Sequence, residues 1–224
     1  MPTREPKPSE AVRERVLLPE LLVVILAAGA SRRLGSPKQL VSVDGEPLLR
    51  RQCLRALDAR IGQVLVVLGC DAGRHRKVIA DLQLEVQVND EWQEGMASTL
   101  RRAVGLASER HAAALLVLPC DQYRITSCDL RALRHTWRLS PSRACVSRWE
   151  DRTGPPVILP FECYGEVLQL RGDTGARPVL YNATRSRPVE VVNARAAYDL
   201  DCVEDVAIAR ASGSVMAFEI LNEV

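Results

Sequence analysis

Short, uninterrupted apolar runs alternate with stretches of helical period along most of this chain. Leu21 to Leu26 is six apolar residues, three of them β-branched, and it closes on Ala27-Ala28-Gly29. Gln63 to Gly69 and Ala113 to Pro119 repeat the type. A short run without polar alternation suits a strand covered on both faces, as in a parallel sheet. Weaker strand candidates are Glu85 to Val88, Ala144 to Trp149, Pro156 to Leu159 and Val189 to Val192. Between them, Leu48, Leu49, Cys53, Leu54 and Leu57 share one helical face after Pro47, which suits a first helical turn. Ser98 to Ala107, Ser127 to Leu139 and Glu204 to Ala211 also read as helices, with Ser127 as an N-cap. The alternation predicts an α/β fold: a single-domain, Rossmann-like, mostly parallel sheet with helices on both faces. Residues 1–19, with prolines at 2, 6, 8 and 19, are expected to be a flexible N-terminal tail. Residues 20–224 then form one domain, without an internal repeat or linker.

Composition narrows the class of function. The 47% hydrophobic share of 224 residues is ordinary for a globular domain. A net charge of +2 and 4% aromatics give little field and little stacking surface, which argues against nucleic acid and anionic membranes. The longest uncharged run, Leu21 to Ser31, falls short of the roughly 20 residues of a spanning helix. The N-terminus lacks the apolar stretch of a secretory signal. The seven cysteines are at least eight residues apart, so closely paired zinc ligands and redox dithiols are disfavoured. Reduced thiols in a soluble, cytoplasmic protein are the expectation.

The chemistry concentrates after the first strand, where such sheets bind their ligands. Ala27, Ala28, Gly29, Ala30, Ser31 and Gly35 are small enough for the backbone to approach a phosphate closely. Arg33 offers a planar fork and Lys38 a point charge for the oxygens. Residues 29–38 carry +3 and no acid, more than the net charge of the whole chain. The segment is not a P-loop, because Lys38 follows Pro37 and precedes Gln39. G-x-G-x-x-G is absent as well, and a glycine-containing turn with solvated arginines is the plain alternative. His75, His111 and His135 sit in no hydrolase or metalloprotease motif.

Leu26 to Lys38 fills L-A-A-G-x-S-x-R-x-G-x-x-K without a gap, the opening motif of the MobA-like nucleotidyltransferases. Gly45, Pro47 and Leu48 resemble that family's step into its first helix. Glu94 to Leu100 resembles Q-G-M-x-S-S-L, with Glu94 in place of Gln and Thr99 in place of the second Ser. Leu118-Pro119-Cys120-Asp121-Gln122, Gly172 to Arg177 as G-D-x-G-A-R, and Asp199 to Asp205 as D-x-D-T-P-E-D complete the resemblance. L-P-C-D-Q with G-D-x-G-A-R points to the molybdenum cofactor cytidylyltransferase branch. The departures are Glu94, Pro155 where the family often has His, and Cys202-Val203 in place of Thr-Pro.

The resemblance implies a fold like that of nucleotide-diphospho-sugar transferases and a Mg²⁺-dependent transfer of CMP from CTP to the phosphate of molybdopterin, releasing pyrophosphate. Such a transfer needs alignment and charge neutralisation more than a strong base. Lys38, Arg33 and Asp121 are the expected catalytic residues. The loop residues named above and Ser98, or an ordinary helix cap in its case, would hold the nucleotide. Asp121 would hold the metal unless it caps the helix near Ser127, together with Asp201 or, as runner-up, Asp199. Gly154, Asp173 and Arg177 would meet the acceptor, unless the last two simply pair with each other. Expected partners are CTP, the molybdopterin cofactor and a molybdoenzyme client. Two alternatives stay open: transfer to a sugar or polyol phosphate, and a non-catalytic accessory or insertion protein for the molybdenum cofactor.

Overall fold

The computed structural model describes residues 21–211, so the tail expected over residues 1–19 lies outside the described residues. Among the described residues nine strands occur in chain order: β1 (Leu21–Ala27), β2 (Ser42–Val43), β3 (Glu46–Pro47), β4 (Gln63–Leu68), β5 (Glu85–Val88), β6 (Ala114–Pro119), β7 (Cys145–Trp149), β8 (Arg152–Pro160) and β9 (Val189–Val192). The α-helices are α1 (Leu48–Ala59), α2 (Ala72–Lys77), α3 (Met96–Glu109), α4 (Ser127–Arg138), α5 (Tyr164–Val167), α6 (Arg177–Leu180) and α7 (Val203–Ala211). Seven strands form one sheet in the order β5-β4-β1-β6-β8-β7-β9, and β2 pairs with β3 separately. Every neighbouring pair in the large sheet is parallel except those that β8 makes with β6 and β7.

β1 is apolar throughout because both of its faces are covered. Leu21, Val23 and Ile25 pack in one core with Leu49 and Cys53 of α1 and Leu130, Leu133 and Trp137 of α4. Leu22 and Val24 pack in a second core with Leu100, Ala103 and Val104 of α3. Alternate residues of one strand therefore feed opposite layers.

The structure adjusts several boundaries. Helix α3 begins two residues before Ser98, whereas α1 begins at Leu48 as expected, with Pro47 both ending β3 and serving as the N-cap. Thr126, not Ser127, is the N-cap of α4. Its hydroxyl accepts from the Asp129 N–H while the Asp129 carboxylate accepts from the Thr126 N–H at 2.8 Å, a reciprocal capping box. Strand β8 runs on both sides of the predicted Pro156–Leu159. Pro155 and Pro156 supply no N–H, and the β7–β8 pairing shifts register between Val146 and Ser147. All seven cysteines are free thiols. Burial raises the pKa of Cys53 and of Cys145 to about 12, so both are inert thiols. No helix among the described residues is long and apolar enough to cross a membrane.

Candidate active site

The central strands β1 and β6 run parallel and end side by side, so the loop after β1 and the Cys120-Asp121 step after β6 share one edge of the sheet. The Cys120 N–H donates to the Leu26 carbonyl at 3.1 Å and ties the two strand ends together. The loop is braced from within. Ser31 has a φ of 54°, and its carbonyl accepts from the N–H groups of Leu34 and Gly35. Its hydroxyl accepts from the Lys38 N–H at 3.0 Å and donates to Gln39 Oε1 at 3.3 Å. Gln39 is buried and donates through Nε2 to the carbonyls of Ala27 (3.1 Å) and Gly29 (2.8 Å). These bonds fix the backbone from which Arg33 and Lys38 project.

Four charged side chains from three segments meet at this edge. Lys38 Nζ lies 2.5 Å from Asp121 Oδ2 and 3.0 Å from Asp201 Oδ1. Arg33 donates to the other Asp201 oxygen at 2.9 Å. Asp201 is delivered by the segment before α7. There the Leu200 N–H donates to the Asp121 carbonyl at 3.2 Å, and the Asp205 carboxylate accepts from the N–H groups of Asp201 and Cys202. Burial by itself lowers the pKa of the Lys38 ammonium, but Asp121 and then Asp201 outweigh it and hold Lys38 above its ordinary value. Asp199 is not in the cleft lining; burial, and then the charges of Asp121 and Asp201, raise its pKa.

The cluster stands in a cleft of about 440 Å³. Ala27 to Arg33 line it together with Lys38, Asp121 and Asp201, and so do Trp92, Glu94, Met96, Thr99 and Asp173. The latter group is built around the start of α3. Asn89 Nδ2 donates to Ser98 Oγ at 2.9 Å and Thr99 Oγ1 at 3.1 Å, which pins the turn bearing Trp92. Glu94 receives Arg101 at 2.7 Å and the Gly172 N–H at 3.1 Å, and Arg101 also donates to the Leu170 carbonyl at 2.8 Å. Arg101, followed by the Gly172 N–H, holds the Glu94 carboxyl near a pKa of about 2. The clamped loop then caps α3: Gly172 O accepts from the Ala97 N–H at 3.0 Å and Asp173 Oδ1 from the Met96 N–H at 3.4 Å.

Of the expected site residues, Ala27, Ala28, Gly29, Ala30, Ser31, Arg33, Lys38, Asp121, Asp173 and Asp201 line this cleft. Gly35, Ser98, Gly154 and Arg177 do not. Gly35 completes the turn behind the loop. Ser98 is 2% exposed, and its hydroxyl donates to the Gly95 carbonyl at 2.9 Å, so it acts as a structural brace. Gly154 pairs with Ser147 in the sheet, where a Cβ would press on the Trp149 ring. The Arg177 guanidinium lies over the Tyr181 ring, 5.2 Å from its centroid, rather than against Asp173. Asp121 is free of any helix-capping duty, since Thr126 caps α4. Gln39, Trp92 and Gln93 also line the cleft and are not among the expected site residues. A polar Gln beside Leu40-Val41 and a Trp in a chain of few aromatics are the signals that single out the first two.

Two carboxylates converging on one cation suit a hard divalent ion that completes its shell with water and substrate oxygens. Among the described residues no group of three or more His, Cys, Asp or Glu forms a closed cage, which the same chemistry does not require.

The family description MobA-like NTP transferase domain matches residues 23–189. The chain belongs to this family and is a nucleotidyltransferase. It is 28% identical over 169 residues to the purine catabolism protein PucB of Bacillus subtilis, covering 72% of this chain and 81% of that one. It is also 28% identical to nicotine blue oxidoreductase of Paenarthrobacter nicotinovorans, over 84% of this chain and 96% of the relative. A probable molybdenum cofactor guanylyltransferase of Rhodopirellula baltica is 31% identical, over 68% and 74%. Among solved structures, Rv0371c of Mycobacterium tuberculosis superposes with a TM-score of 0.73 at 27% identity, covering 85% of this chain and 96% of that one. A manganese complex of Rv0371c superposes with a TM-score of 0.70 at 25% identity, over 86% and 99%.

Proposed function

We propose that this MobA-like protein is a Mg²⁺-dependent cytidylyltransferase that joins CMP to the phosphate of the molybdopterin cofactor. The observation that carries the reading is the meeting of Lys38, Arg33, Asp121 and Asp201 at the mouth of a loop that fills the family's opening motif. An oxygen of the acceptor's phosphate monoester attacks the α-phosphorus of CTP. The bond from that phosphorus to the oxygen leading to the β-phosphate breaks, and pyrophosphate leaves with the electron pair. The acceptor is already anionic, so the protein's task is to align two anions and offset their charge. Lys38 and Arg33 turn to the triphosphate, with the backbone of Ala28 to Ser31 beneath it. Asp121 and Asp201 would hold Mg²⁺, which when bound would offset the charge of the triphosphate. Asp173, which also lines the cleft, would meet the acceptor.

CTP is favoured by Ala28, which lines the cleft where the guanylyl branch typically has the glycine of L-A-G-G. A methyl group there leaves less room for a purine. A second reading, an accessory protein that carries the cofactor to a molybdoenzyme client without turnover, draws on the departures from the family's motifs at Glu94, Pro155 and Cys202-Val203.

Incubation with Mg²⁺, molybdopterin and each of the four ribonucleoside triphosphates tests the proposal by pyrophosphate release. CTP is expected to give the fastest release. No release with any triphosphate from folded protein overturns the transfer, and tight cofactor binding without release then supports the accessory role. Release with sugar or polyol phosphates in place of molybdopterin reassigns the acceptor.

A further inference from the structure

The charge cluster is arranged to do more than receive a nucleotide. The Lys38 ammonium sits between two carboxylates borne by different segments, 2.5 Å from Asp121 and 3.0 Å from Asp201. Arg33 occupies the remaining Asp201 oxygen at 2.9 Å. Two cations and two carboxylates leave the cluster formally neutral. The Lys38 and Asp121 side chains are only 19% and 18% exposed, so their attraction is less screened than that of a surface pair. The Lys38 backbone is held by Ser31 and the Gln39 side chain by two loop carbonyls, so the flexible four-carbon stem can turn while the loop stays in place.

We infer that Lys38 is the internal counter-ion of the metal site: its ammonium stands between Asp121 and Asp201, the carboxylates that would hold a divalent cation, so metal and triphosphate enter as a pair. The inference rests on the proposed reading of Asp121 and Asp201 as metal ligands. A dication arriving alone competes with an ammonium already in place and meets Arg33 as well. A triphosphate arriving alone draws both cations away and leaves two bare carboxylates facing its own charge. When the two arrive together, Lys38 and Arg33 move to phosphate oxygens and the carboxylates to the metal, so every charge is paired again. Each ligand therefore raises the affinity for the other by the same factor, as linkage requires.

The test is a Mn²⁺ titration, followed through the electron paramagnetic resonance of the free ion, with and without α,β-methylene-CTP. The proteins compared are the wild type, Lys38→Met, Lys38→Gln, and each of the three with Asp121→Asn added. Without nucleotide, Lys38→Met and Lys38→Gln are expected to bind Mn²⁺ about tenfold more tightly than the wild type, within the usual span of coupling. The gain that the analogue gives the wild type should shrink in both. The second Lys38 substitution, checked by circular dichroism, guards against one variant that fails to fold. If neither Lys38 variant binds more tightly, yet Asp121→Asn abolishes binding, the counter-ion role is overturned and the metal site stands. If Asp121→Asn leaves Mn²⁺ binding unchanged, the metal reading itself fails, and the inference with it.

Discussion

Lys38 donates to Asp121 across 83 positions of sequence, its Nζ 2.5 Å from Oδ2. The pair joins the loop after β1 to the end of β6, and Asp201 extends it to the segment before α7. Asp121→Asn keeps the size of the side chain and removes the charge, while Lys38 retains Asp201. Turnover, followed as pyrophosphate release, is expected to fall about 10³-fold, the scale of losing one charge-stabilising group. Far-UV circular dichroism should not change. An undiminished rate would remove Asp121 from the metal site.

Gly95 sets how closely the wall at the start of α3 can be built. Its φ is 122°, and a Cβ there would lie 2.7 Å from the backbone of Gly172 and Asp173. Gly95→Ala meets both the conformational strain and the contact, so it should cost about 1–3 kcal/mol in denaturant unfolding. The same change pushes Asp173 away from the Met96 N–H. Amide exchange should accordingly quicken at 96–97, and full stability with unaltered exchange would contradict the packing described.

Thr126 and Ser127 are adjacent hydroxyls, and only the first closes a capping box. Thr126→Ala is expected to lower stability by about 1 kcal/mol. Ser127→Ala should cost less. Equal losses in thermal unfolding would argue against the reciprocal bonds between Thr126 and Asp129.

His75 gives stability a pH dependence of defined sign. Burial, helped by Arg74, pulls its pKa below the ordinary 6.5, and Asp71 does not offset the shift. As pH falls below 6.5 the unfolded chain takes up the proton first, so the native state loses stability until the depressed native pKa is passed. His75→Phe removes this contribution. Its unfolding free energy should vary less than the wild type's between pH 6.5 and the native pKa, and parallel profiles would show that His75 does not titrate this way.

Much of this architecture is legible in the sequence, for a physical reason. β1, β4 and β6 are buried on both faces, and that burial demands the unbroken apolar runs that mark them. Helix α2 left no such trace: Gly73, Arg74, His75, Arg76 and Lys77 present no apolar stripe, and tertiary contacts place them. Lys38 and Asp121 were readable because each lies within two residues of, or in, a loop at a strand's carboxyl end. Ser98 stays open between ligand and cap in the sequence because a hydroxyl at a helix start serves either, and here Asn89 and the Gly95 carbonyl engage it. The Glu94–Arg101 clamp joins residues seven apart to a loop almost eighty residues further on, a relation that no local pattern encodes. For α4 the signal was present, since Thr126-Ser127-Cys128-Asp129 places an acid at the third position after the cap.

The central claim is that the α-phosphate of CTP moves to the molybdopterin phosphate. Incubating the protein with Mg²⁺, molybdopterin and CTP labelled at the α-phosphate, then resolving the products, tests it most directly. The account predicts label in a cytidine dinucleotide of the cofactor, formed one for one with pyrophosphate and lost in Asp121→Asn. Label that stays in CTP while the folded protein binds the cofactor, or transfer seen only when α-labelled GTP replaces the CTP, would contradict it.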